Sequence, residues 1–233
     1  MLLIMTMNAM GAGVAVDPVR RTVLARRIRL IVAATISYNV IEAIVAISAG
    51  TVASSTALIG FGLDSVVEVL SAAAVAWQFS AKDPESRERI ALRVIAVSFF
   101  ALAVYVTIDA VLALTGVRSP EHSLVGIVLS AISLAVMPLL SLAERRTGRE
   151  LGSASAVADS KQTLICSYLS AAVLIGLLLN SLFGWTWADP VAGLVIVFFA
   201  VREGWEAWKG EACTTPVSEL TGERAPGDHD DCC

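Results

Sequence analysis

The sequence predicts an all-α integral membrane protein with six transmembrane helices and both termini in the cytoplasm. Three observations predict it: an oily composition, six long apolar stretches, and basic residues that alternate between their connections. Hydrophobic residues fill 56% of the 233 positions and charged residues 16%, where a soluble domain carries about 25% charged residues. Mean hydropathy is +0.74. The net charge of −4 says little, because in a membrane chain the placement of charge matters more than its sum. No nucleic-acid partner is expected.

The spans follow in order. Residues 30–49 form the first, preceded by Arg20, Arg21, Arg26, Arg27 and Arg29. Residues 57–79 form the second, and about 20 apolar residues suffice to cross a bilayer. The third covers 90–115, with Lys82, Arg87, Arg89 and Arg93 around its start. The fourth covers 124–142 and is followed by Arg145, Arg146, Arg149 and Lys161. The fifth and sixth cover 163–183 and 190–207. The alternate connections hold no Lys or Arg except Arg118, so the positive-inside rule places the basic segments and both termini in the cytoplasm. The expected organisation is a cytoplasmic segment 1–27, a six-helix membrane domain 28–210 and a disordered cytoplasmic tail 211–233. The first residues lack a charged n-region and are interrupted by Asp17–Pro18, so a cleaved signal peptide is not expected.

Asp64 and Glu68 stand inside the second span. An acid near the middle of a span costs on the order of 2.5–3.5 kcal/mol on the mildest scale. Residues four apart share a helix face, so that cost falls at one spot. A divalent cation or exchangeable protons would offset it. Gln162 and Cys166 are also four apart, on the fifth span. A Gln carbonyl oxygen and a Cys thiolate suit a divalent transition metal, although a lone buried Cys is more often a small hydrophobe. Lys161 reads as an anchor on the cytoplasmic side.

Other polar residues carry two readings each. Asn39 and Glu42 lie well inside the first span; Glu42 could pair with a basic residue or hold a proton. Asp109 and Asp189 either serve the site or lie near the outer interface, where a carboxylate is cheap. Asn180 reads as an interhelical hydrogen-bonding residue. The four cysteines (Cys166, Cys213, Cys232 and Cys233) form no disulfide framework. His229, Cys232 and Cys233 could capture metal at the cytoplasmic mouth, but they lack the separated ligand pairs of a structural zinc site. A disordered acidic terminus is the favoured reading of the tail.

The run from Ser54 to Glu68, SSTALIGFGLDSVVE, resembles the second-helix signature of cation diffusion facilitators. Those are six-helix antiporters that exchange cytoplasmic zinc or related divalent metals for protons. The family carries a DxxxD or HxxxD pair there, and Asp64 and Glu68 fall on its two positions. Its fifth helix carries a second pair, usually HxxxD, after an alanine–aspartate segment; here Ala158–Asp159 precedes Gln162 and Cys166. Ala188–Asp189–Pro190 matches the start of the family's sixth helix. The resemblance therefore implies a metal site of Asp64, Glu68, Gln162 and Cys166. It leaves metal choice open, because the usual His and Asp are replaced. The family's folded cytoplasmic domain is not expected in 211–233, so any homodimer would rest on the membrane helices.

These readings together predict a divalent transition-metal efflux transporter at the plasma (inner) membrane, working by metal/proton antiport. Zinc is favoured, with cadmium, cobalt and manganese as other candidates. Two bare carboxylates are costly in a low dielectric, so the empty site takes up protons that the metal must expel. The metal is cargo and no prosthetic group is expected. No span carries a nucleophile–base pair or an HExxH motif, so no enzyme is expected. The alternative is a transport-inactive membrane protein of the same fold that binds metal or regulates.

Overall fold

A computed structural model describes residues 18–79, 85–151 and 154–209. Within them the chain forms six helices: α1 (Pro18–Ala53), α2 (Thr56–Phe79), α3 (Glu85–Leu114), α4 (Leu124–Leu151), α5 (Ala154–Phe183) and α6 (Ala188–Lys209). The N-terminal segment before residue 18 and the tail with Cys213, His229, Cys232 and Cys233 lie outside the described residues.

Each apolar stretch became a helix, as a bilayer without water demands of every buried N–H and C=O. The ends moved outward on the basic side. α1 begins at Pro18 and α4 runs to Leu151, well past the expected limits at 30 and 142. Arginines are good helix formers, so the basic segments continue the helices into the aqueous layer. There Arg20 Nη2 meets Glu150 Oε2 at 3.2 Å, joining the start of α1 to the end of α4.

Five helices, α1 to α5, are long and apolar enough to cross a membrane. α6 falls short on composition, because Arg202, Glu203 and Glu206 occupy its last turns. Its placement argues for a sixth span on other grounds. Exposed Trp185 and Trp187 stack at its start, ring centroids 5.4 Å apart, and exposed Trp205 and Trp208 mark its end. Trp187 and Trp208 are about 30 Å apart along a helix of 1.5 Å rise, close to the hydrocarbon thickness, and Trp prefers both interfaces.

α2 sits at the centre of the bundle, packed against α1, α3, α5 and α6, while α4 closes the ring between α1 and α5. The core runs along α2 through Leu58, Phe61 and Val67 and is completed by Phe99, Val106, Leu169, Val173, Leu177 and Ile196. Large apolar side chains such as Ile41, Ile44, Ile108, Leu139 and Phe198 point outward, as a lipid-facing surface requires. Small residues let helices approach closely. A Cβ on Gly176 of α5 would stand 2.7 Å from Ala192 Cβ and 3.1 Å from Ala188 O of α6. Gly184 ends α5 at φ +66°, with its N–H on Asn180 O at 3.0 Å, a left-handed cap that glycine adopts without penalty.

The outer end of α2 explains two carboxylates that the sequence left open. Ser55 caps the helix, its Oγ accepting from Leu58 N at 3.1 Å and donating to Asp189. Asp189 Oδ1 also accepts from Ala57 N at 3.3 Å. Thr56 Oγ1 donates to Asp109 Oδ2 at 2.7 Å, and Arg118 Nη1 bonds Asp109 Oδ1 at 2.5 Å. Both aspartates therefore hold the N-terminus of α2, where negative charge is favoured by the helix dipole. Asn180 Nδ2 donates to Pro120 O at 3.2 Å, so its bond is to the α3–α4 connection rather than to a neighbouring helix.

Candidate metal centre

Asp64 and Glu68 stand about 12 and 18 Å along α2 from Thr56 at 1.5 Å per residue, roughly midway through the bundle. Asp64 is buried and Glu68 is partly exposed. Opposite them α5 presents Cys166, which is 1% exposed. Its Sγ lies 2.7 Å from Glu68 Oε1 and 3.9 Å from Asp64 Oδ2. One donor atom from each of the three residues falls within 4.8 Å of the others. Donors bound at about 2.0–2.3 Å to one ion sit no more than about 4.6 Å apart, so small side-chain rotations suffice to put all three on a single cation.

Of the four residues expected to form the site, the fold brings together Asp64, Glu68 and Cys166. Gln162 lies on α5 one turn before Cys166, and its side chain is outside the described residues. α1 adds a polar wall. Asn39 Nδ2 donates to Glu68 Oε2 at 2.5 Å. Glu42 is 1% exposed; it accepts from Ser65 Oγ of α2 at 2.7 Å and from Ser133 Oγ of α4. Tyr38 OH reaches the same Ser133 at 2.7 Å. Glu42 thus takes its partners from hydroxyls on two other helices and stands outside the three-residue cluster.

Two features escaped the sequence reading. Asn39 was visible only as a polar residue in a span, with nothing to show that it meets Glu68. Glu203 of α6 sat unnoticed among the charges at the helix end. Its Oε1 is buried without a hydrogen-bond partner among the described residues. Its neighbour Arg202 pairs with Glu206 at 3.3 Å, a contact readable from their i,i+4 spacing.

A family model of the cation efflux transmembrane domain matches residues 32–210. The chain belongs to the cation efflux family. Its members are metal-cation transporters rather than enzymes, and this chain is a multi-pass membrane protein whose substrate is a metal cation. A search of curated protein sequences returned no match. The matched region contains all six helices from the middle of α1 onward, the Asp64–Glu68 pair and Cys166.

Proposed function

We propose that this cation efflux protein exports a divalent transition metal from the cytoplasm across the plasma (inner) membrane in exchange for protons. Asp64, Glu68 and Cys166 are the ligands, with Gln162 a fourth on the same face of α5. The observation that carries this reading is the convergence of two carboxylates and a thiol within 4.8 Å, deep in a bundle whose outer surface is apolar. Partly exposed Glu68 lies nearer the basic end of α2 than buried Asp64, which suits entry of the ion from the cytoplasmic side.

The coupling follows from charge. Two carboxylates and a thiolate carry three negative charges in a region of low dielectric, and they are tolerated only against a cation or with protons bound. Ligands bind metal in their deprotonated forms, so loading the ion releases protons and reprotonation releases the ion. Two conformations opening the site to opposite sides turn that competition into antiport. The thiolate favours zinc and cadmium, with cobalt within reach, over magnesium, which takes oxygen ligands alone. Manganese, a harder ion, gains least from the thiolate and is the least favoured of the four.

The test is metal uptake into inside-out proteoliposomes under an imposed pH gradient, comparing zinc, cadmium, cobalt and manganese. Gradient-driven uptake that vanishes in Asp64→Asn is the expected result. Absence of flux for every ion, from folded protein, would overturn the reading in favour of a binding or regulatory protein.

A further inference from the structure

Asn39 lies on α1 three residues before Glu42, so both face the same side of the helix, toward α2. It is 3% exposed. Its Nδ2 donates to Glu68 Oε2 at 2.5 Å, which leaves Glu68 Oε1 turned to Cys166 Sγ at 2.7 Å. The remaining amide atom, Oδ1, is buried and has no hydrogen-bond partner among the described residues. Exchanging the two amide atoms would set a carbonyl against the Glu68 carboxylate, which accepts and cannot donate. The orientation with Nδ2 on Glu68 is therefore the one an ionised, metal-ready Glu68 requires. Buried carbonyl oxygens are rarely left without a partner, and amide oxygens are ordinary ligands of divalent cations.

We propose that Asn39 belongs to the metal centre: its Nδ2 orients Glu68, and its Oδ1 is a neutral oxygen donor to the transported divalent cation. The inference rests on Asp64, Glu68 and Cys166 being ligands of that cation. It adds a third helix, so the ion ties α1 to α2 and α5. Because the amide is uncharged, it adds a ligand without changing the charge of the filled site. That extra oxygen shifts the donor set toward ions that accept mixed oxygen and sulfur coordination, such as cobalt, and away from purely thiolate-seeking ones.

The experiment is a cobalt(II) titration of the full-length protein in detergent, followed by absorption. The thiolate-to-cobalt charge-transfer band reports Cys166, and the visible d–d bands report the number and geometry of the ligands. Asn39→Leu keeps the branching at Cγ and removes both amide functions. It should weaken cobalt binding by about 10–100-fold, the range seen when groups supporting metal ligands are lost, and change the d–d envelope while the charge-transfer band persists. Asn39→Asp retains an oxygen but cannot donate to Glu68. It should bind at least as tightly as the parent protein, with d–d bands near the original. Unchanged affinity and d–d bands in Asn39→Leu overturn the proposal. So does Asn39→Asp weakening binding as much as Asn39→Leu, which would leave Asn39 a positioning residue for Glu68 alone. If the parent protein shows no charge-transfer band that Cys166→Ser removes, the underlying reading of the site fails first, and this inference with it.

Discussion

Cys166→Ser separates a thiolate ligand from a bystander. The substitution keeps a small, uncharged side chain and removes the soft donor. Sγ is 2.7 Å from Glu68 Oε1 and 3.9 Å from Asp64 Oδ2, so the atom lost is in contact with one carboxylate and beside the other. With a thiolate, two carboxylates and a divalent ion, the filled site carries a net charge of −1; with a serine hydroxyl it is neutral. One proton fewer is then released for each ion bound. Cadmium and zinc, which gain most from sulfur, lose most, and manganese loses least. Removing a donor should cost at least what loss of an outer-shell partner costs, on the order of 10–100-fold in affinity, or about 1.4–2.7 kcal/mol. The assay is the initial rate of cadmium and manganese uptake into inside-out proteoliposomes at subsaturating ion. The cadmium-to-manganese ratio should fall by roughly 10–100-fold. An unchanged ratio, from protein that elutes as the parent does, would refute thiolate ligation.

Metal affinity should rise with pH, because bound protons and the ion compete for the same carboxylates; each proton released adds about tenfold per pH unit. Cadmium titrations between pH 6 and 8 check this, and a flat profile would remove the coupling. Arg118→Ala leaves the buried Asp109 carboxylate held by the Thr56 hydroxyl, while the Arg118 side chain is 46% exposed. A loss of about 1–2 kcal/mol, discounted for that exposure, should lower the melting temperature in detergent without altering ion preference. Gly176→Leu drives a side chain into Ala192 and the α6 backbone. Overpacking of this kind costs about 1–3 kcal/mol and should show as reduced thermal stability, whereas unchanged melting would mean that α5 and α6 can move apart.

Much of the site could be read along single helices. Asp64 and Glu68, four residues apart, are set on one face by the helical period alone, and the same holds for Gln162 and Cys166. What could not be read was everything between helices. Asp109 and Asp189 looked equally suited to a site or an interface. Their assignment to the α2 terminus depends on Ser55 and Thr56, far away in sequence and contributed by a different helix. Glu203 turns one carboxylate oxygen into the bundle, which its neighbours in sequence do not reveal.

The sequence by itself determined the membrane class, the helices and the side on which the basic segments gather. Hydropathy, the need to satisfy backbone groups in lipid and the cost of moving charge across it act on each segment independently. Only the tertiary structure decided which polar faces meet. That depends on how each helix is rotated and how closely it packs, set by contacts such as Gly176 on Ala192. Helix packing put Cys166 and Asn39 on the two oxygens of the Glu68 carboxylate, and Glu42 among serines beside the site. A helix's period fixes which residues share its face, but the partner of that face is chosen by packing across the bundle.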